Sequence, residues 1–229
     1  MKVFEIGCAE GGVLKAFLDR DCEGVGVELS SYRAELAKKF LEPELKKGRA
    51  VIICKNIYDE SFEQEFKNRF DLIILKDVIE HIHDQDKLIS KLKSYLNSGG
   101  RIFFGFPPWY MPFGGHQQMS GSKVLSKLPY YHLLPAPIYR GVLKLFGEEQ
   151  QRIDELMEIK QTGISIERFE KILDGQGFEI DQKRFYLINP IYSYKFNLKV
   201  REQNKLVGAI PYVRDFLTTA VYYLVSVRR

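Results

Sequence analysis

The chain has 229 residues, 45% of them hydrophobic, 13% aromatic and 28% charged, an ordinary globular composition that excludes a disordered or fibrous protein. Its 34 basic and 30 acidic residues leave a net charge of +4, a weak argument for a nucleic-acid partner. Cys8, Cys22 and Cys54 form an odd, widely spaced set without a CxxC pair, so neither a disulfide framework nor a structural zinc site is implied. A reducing, cytoplasmic setting is expected. The N-terminus has no apolar run of signal-peptide length, and Ala209–Val227, the longest apolar stretch, is interrupted by Arg214 and Asp215. No integral membrane segment is expected.

In chain order, short β runs alternate with helical patterns. Val3–Ile6 predicts a strand running into a glycine-rich turn. Val13, Leu14, Phe17 and Leu18 then mark a helix face. Gly24–Leu29 predicts a second strand, followed by a helix over Tyr32–Leu41 capped by Ser30 or Ser31 and stopped near Pro43. Ala50–Cys54 and Asp71–Leu75 predict strands three and four. Asp84 caps a helix whose face is Leu88, Ile89, Leu92, Tyr95 and Leu96, with Gly99-Gly100 ending it, and Arg101–Phe106 is strand five. Strands alternating with helices argue for a parallel sheet covered on both faces. The alternation then stops: residues 107–160 hold six of the nine prolines and read as an insertion without strands. Ser165 caps a further helix with Ile166, Phe169, Ile172 and Leu173 inward, and Phe178–Ile188 and Leu217–Val227 close the chain as two strands.

The turn Glu5-Ile6-Gly7-Cys8-Ala9-Glu10-Gly11-Gly12 lets backbone approach a ligand and presents a helix N-terminus. Glu28 ends the second strand, 21 residues after Gly7, where a carboxylate can accept from two ribose hydroxyls. The turn and Glu28 alone leave a nicotinamide site and another adenosine cofactor open. Ala9 would crowd a pyrophosphate, and Glu5 is awkward beside one but suits a cationic ligand. Glu5-Ile6-Gly7-Cys8-Ala9-Glu10-Gly11 resembles the E/D-x-G-x-G-x-G first motif of class I S-adenosylmethionine-dependent methyltransferases, with Ala9 in place of the middle glycine. Phe70–Ile82 resembles the motif after strand four of their small-molecule, quinone-biosynthesis-like branch. The resemblance runs in order through residues 3–106 and more loosely through 163–229.

The resemblance implies a Rossmann-like, doubly wound α/β fold: a mostly parallel seven-stranded sheet with an antiparallel final strand and an insertion after strand five. It implies a single domain over 1–229 with 107–160 as its lid. The implied cofactor is S-adenosylmethionine, held by Glu5, Gly7, Cys8, Ala9, Gly11, Glu28, Leu29, Asn56, Ile57, Lys76 and Asp77. Relatives carry helices before strand one, so either a longer chain precedes Met1 or the lid is built elsewhere; the first is favoured.

The acceptor side falls on Pro107–Met119, which leaves the C-terminal end of strand five. Its aromatics, two glycines and histidine suit a planar or apolar acceptor. His116 is the candidate base, titrating near neutral pH, and Tyr110 the orienting hydroxyl, if the acceptor is a hydroxyl. His132 is a weaker candidate, and Cys8 is a small residue rather than a nucleophile. His81 and His83 at i, i+2 do not share a helix face, and no metal is expected. The N/D-P-P-aromatic motif of base methyltransferases is absent after strand four, so a small molecule is favoured over a nucleic acid. A non-catalytic module on the same fold is the alternative from another class.

Charge is distributed in blocks. Residues 1–106 carry 17 − 18 = −1, residues 107–147 carry 4 − 0 = +4, residues 148–182 carry 4 − 10 = −6, and residues 183–229 carry 9 − 2 = +7. The excess lies in the regions expected to choose the substrate, so an anionic or lipid- or glycan-linked acceptor, or peripheral contact with a membrane surface, is expected. Oligomeric state is not readable.

Overall fold

The computed structural model describes residues 1–228, and for residues 60, 61 and 63 the backbone only. Its strands are β1 (Lys2–Ile6), β2 (Glu23–Glu28), β3 (Ala50–Cys54), β4 (Phe70–Lys76), β5 (Leu96–Phe106), β6 (Phe178–Ile188), β7 (Arg201–Glu202) and β8 (Ala220–Val227). The helices are α1 (Gly12–Leu18), α2 (Ser31–Phe40), α3 (Glu42–Lys46), α4 (Glu60–Phe66), α5 (Gln85–Tyr95), α6 (Ala136–Leu145), α7 (Gln150–Thr162), α8 (Ile166–Gly175), α9 (Ile191–Phe196), α10 (Lys205–Gly208) and α11 (Val213–Phe216). The sheet order is β3-β2-β1-β4-β5-β8-β6-β7. β1 to β5 are parallel, and β8 runs antiparallel to both β5 and β6.

The expected antiparallel closing strand is present. The sheet has eight strands rather than seven, because Arg201–Glu202 adds a two-residue ladder to the edge of β6. Two boundaries also move. Gly99-Gly100 does not end α5; the helix stops at Tyr95, and both glycines lie within β5, whose register against β4 shifts between Phe70 and Leu72. The last strand starts at Ala220, and Ala209–Leu217 folds into turns and a short helix.

Both faces of the sheet are filled as its continuous apolar strands require. Phe4, Phe62, Phe66, Phe70 and Tyr95 cluster beneath α4 and α5, with the Phe4 and Phe70 rings 4.7 Å apart. Each fully buried ring contributes on the order of 2 kcal/mol. On the other face Leu14 and Leu18 of α1 meet Ala34 and Ala37 of α2, whose small side chains let that helix lie close. The three expected side-chain caps form: Ser30, Asp84 and Ser165 accept from the amides of Arg33, Lys87 and Arg168.

Residues 107–164 follow different rules. Three 3₁₀ turns precede α6 and α7, and Leu125, Tyr139, Leu143, Ile153 and Leu156 make a separate small core. The segment is closed at its base, where the Trp109 amide donates to the carbonyl of Ile164 (2.9 Å). A second excursion, residues 189–219, runs between β6 and β8 and rejoins the sheet through the two-residue β7. It is bolted back by the buried Arg214, which donates to Glu167 (2.9 Å) and Glu170 (3.0 Å) of α8.

Candidate cofactor and acceptor site

In open α/β sheets ligands sit beyond the C-terminal strand ends, where connections diverge to opposite sides. Here β1 leads towards β2 and β3, and β4 towards β5. A cavity of about 560 Å³ opens at that crevice. Gly7, Glu28, Leu29, Asn56, Ile57 and Asp77 line it, so six of the expected cofactor residues converge from four strand ends.

Gly7 has φ +68°, and a Cβ there would stand 2.6 Å from the side chain of Val78. Glycine is therefore required twice, by backbone sign and by space. Glu28 is buried and polarised by two amides: Oε2 accepts from Ala9 and Oε1 from Ser30, both at 2.9 Å. Each oxygen keeps a second lone pair, so the carboxylate can still accept from a diol while holding the turn. Ala9 adopts φ +46°, a left-handed conformation that alanine resists, and its bond to Glu28 holds it there. Asn56 Oδ1 caps its own turn by accepting from Tyr58 (3.0 Å).

The other expected cofactor residues lie behind the wall. Glu5 is buried with Oε2 unpartnered among the described residues, and burial pushes its carboxyl up to about 8. An orphaned, desolvated carboxyl behind the turn suits a cationic group that would restore its charge. Cys8 is buried against Gly26, and burial lifts its thiol to about 12, so it is a packing residue. Gly11 caps α1 in a left-handed conformation, and Lys76 is ion-paired to Asp77.

His81 lines the cavity and is the residue whose importance the sequence hid. Its ring centroid is 5.0 Å from that of His116, which arrives from the lid 35 positions later. Glu80, next to His81 in the chain, is buried, and donor atoms of Glu80, His81 and His116 lie within 4.8 Å of one another. Burial and the charge of Asp77 raise the Glu80 carboxyl well above the carboxylate range. His116 does not titrate near neutrality as expected. Burial, and then the neighbouring His81, push it down to about 4, so its ring is neutral, with Nδ1 buried and without a partner among the described residues.

Tyr110 is not brought to this cluster by any recorded contact among the described residues. Its half-exposed ring stacks on Phe216 (5.3 Å), at the junction of the lid with residues 189–219. His132 is structural: Nδ1 meets Gln117 Nε2 (2.6 Å) and Nε2 meets the Trp109 carbonyl (2.9 Å). Gln85 has no signal in the sequence beyond its place in a helix, yet its buried amide donates to the carbonyls of Ile79 (3.1 Å) and Thr162 (2.6 Å). It thereby ties the His81 turn to the end of the lid helix α7.

A family model described as a methyltransferase domain matches residues 1–183 of this chain. The chain belongs to the class I S-adenosylmethionine-dependent methyltransferases. Among curated relatives, a tRNA U34 carboxymethyltransferase of Campylobacter concisus (strain 13826) is 27% identical over 76% of this chain and 57% of its own length. The homologous enzyme of Campylobacter curvus (strain 525.92) is 31% identical over 50% of this chain and 37% of its own length. A ubiquinone biosynthesis O-methyltransferase of Leptothrix cholodnii is 22% identical over 45% of this chain and 43% of its own. The chain thus spans roughly half the length of these relatives. The fold is shared with geranyl diphosphate C-methyltransferase from Streptomyces coelicolor A3(2), solved with Mg2+, geranyl diphosphate and S-adenosyl-L-homocysteine. That likeness has a TM-score of 0.59 at 14% identity, covering 98% of this chain and 73% of that one. In this methyltransferase fold S-adenosylmethionine is the cofactor, and the buried Glu28 carboxylate at the β1/β4 crevice keeps lone pairs of the kind a ribose diol needs.

Proposed function

We propose that this methyltransferase acts on a hydroxyl, phenolic in the first instance, of a small anionic or amphipathic molecule, with His116 as the base. The observation that carries the proposal is the half-buried His116 ring, whose buried Nδ1 has no partner among the described residues and whose centroid lies 5.0 Å from that of His81 at the cavity wall. A neutral imidazole has a free lone pair to accept a proton, and because burial holds its pKa near 4 it serves best an acceptor whose hydroxyl is itself acidic. When bound, the cofactor supplies an electrophilic methyl on a sulfonium. The chain's own residues orient and desolvate: Glu28 accepts from the ribose, Asn56, Ile57 and Leu29 frame the adenine, and Gly7, Cys8, Ala9 and Gly11 shape the turn. Glu5, Lys76 and Asp77 set the charge around the methionine end.

Residues 107–160 serve as the lid of a single domain over 1–229, and Tyr110 orients the acceptor from the lid's outer edge. The three free cysteines agree with a cytoplasmic location, and no described helix is long and apolar enough to cross a membrane. The test is transfer of labelled methyl from S-adenosylmethionine to a panel of phenols, carboxylic acids, amines and unmodified tRNA. Labelling of phenols that is lost in His116→Ala is expected. Labelling of tRNA alone, or of carboxylates with His116→Ala unaffected, would overturn the acceptor class. Failure of the full chain to bind S-adenosylmethionine in calorimetry would favour a non-catalytic module.

A further inference from the structure

Exposed large apolar side chains are concentrated in one stretch. Ten of the twenty-three in the described chain fall within residues 194–217, including Tyr194 (89% exposed), Leu206 (78%) and Tyr212 (69%). α9 has no buried residue, and neither has α10. Short helices without a fully buried side chain gain little tertiary stabilisation of their own, and their exposed apolar faces are open to another surface. The stretch is held in shape. Arg214 is fixed to α8, the Gln203 amide donates to the Phe185 carbonyl (2.8 Å) and that of Tyr212 to Glu167 (2.9 Å).

Lys195, Lys199, Arg201 and Lys205 are interleaved with these side chains and form no ion pair with any carboxylate among the described residues. The one exposed carboxylate of the stretch, Glu202, pairs with Arg184 (3.0 Å).

We propose that residues 194–217 form a peripheral membrane-docking surface for an anionic bilayer. The pairing of apolar side chains with unpaired cations is what such a surface needs: insertion into the headgroup layer buries the former while the latter meet lipid phosphate. A second copy of the chain fits less well, because a two-fold interface would set four cations against their own images with no free carboxylate to answer them. RNA also fits less well. Leu198, Val200, Leu206, Ile210, Val213 and Leu217 outnumber the aromatics Tyr194, Phe196, Tyr212 and Phe216, and aliphatic groups offer bases no stacking platform.

The surface adjoins the site. Phe216 stacks on Tyr110 of the lid, and Tyr192, on α9 just before the exposed run, has its phenol raised by burial and then by the charge of Asp77 at the cavity wall. A docked molecule would therefore present its acceptor side to the lipid. The docking itself does not depend on the acceptor class.

The test is co-sedimentation of the full chain with vesicles of equimolar phosphatidylcholine and phosphatidylglycerol, against vesicles of phosphatidylcholine alone. Binding to the anionic vesicles only, weakened by added salt, is expected. Lys195→Gln/Lys199→Gln/Lys205→Gln should weaken it about a hundredfold, at roughly fivefold per lysine. Leu206→Ser/Ile210→Ser should abolish it with the unfolding temperature unchanged. Four results would overturn the proposal. They are no sedimentation, equal sedimentation of the variants, a dimer that Leu206→Ser/Ile210→Ser converts to monomer without vesicles, and lysine-dependent binding of tRNA in place of vesicles.

Discussion

Residues 2–106 and residues 107–164 bury their side chains by different means. In the first region strands come from a repeated pattern, and side chains 60 or 90 positions apart meet because the sheet stacks them, as Phe4, Phe62 and Tyr95 do. In the second, compactness comes from proline-limited turns, a private core and a few polar ties such as His132 with Gln117 and Trp109. The first builds a rigid crevice that any adenosine-sulfonium cofactor can use. The second sets one particular histidine, His116, against His81 at the wall of that crevice. Cofactor affinity and acceptor chemistry should therefore be separable by mutation.

The largest expected effect is on the cofactor half. Glu28→Ala removes the acceptor of two backbone amides and of the ribose together. The two unpaired amides cost stability, about 1–3 kcal/mol each, while loss of two ribose hydrogen bonds to a charged acceptor, at about 1.5–3 kcal/mol each, should lower affinity for S-adenosylmethionine at least about a hundredfold by calorimetry. His116→Ala should lower kcat by about 10²–10⁴ with cofactor affinity unchanged. A matching loss of cofactor affinity would end the separation of the two halves.

The pH dependence sharpens the same contrast. The Glu5 carboxyl is pushed up to about 8, so it is largely protonated at pH 6, and a cationic cofactor binds its ionised form. Affinity should rise with pH up to about 8, by up to about tenfold per unit, with release of one proton seen by calorimetry in two buffers. Glu5→Gln should flatten that profile. His116, pushed down to about 4, is already neutral across this range, so kcat should not share the rise.

The fourth test strikes the lid alone. A Cβ on Gly115 would lie 2.3 Å from the His132 Cβ, so Gly115→Ala should destabilise the lid by about 1–3 kcal/mol. Activity should fall while cofactor affinity holds. The smallest effect is Ala9→Gly, which relieves φ +46° at the cost of glycine's added freedom. It should raise stability by at most about 1 kcal/mol, read from the denaturation midpoint.

Much of the crevice was legible because its lining residues lie where their own strands end. Gly7, Glu28, Asn56 and Asp77 each follow a strand whose period is visible in the sequence, and parallel packing then aligns those ends. The acceptor half was legible only as composition. His116 was singled out, but its depressed basicity was not, since desolvation depends on what covers the ring and His81 is nearby only in space. Tyr110 reads as an orienting hydroxyl, and its stacking on Phe216, a partner 106 residues away, has no signal in the sequence. The last strand reads as starting at Leu217 rather than Ala220, because apolar residues read alike in a strand and in the turn that leads into it.

The sequence by itself determined the alternating architecture, the crevice and the charge blocks, because helix and strand periods and glycine-rich turns are local properties. Tertiary structure alone decided three things: that Glu28 holds the Ala9 turn, that Gln85 binds the lid to the His81 turn, and that His116 stands over His81. Each depends on a desolvated contact between distant segments, and burial, which fixes the strength of a hydrogen bond or the pKa of a ring, is not a property of any one of them.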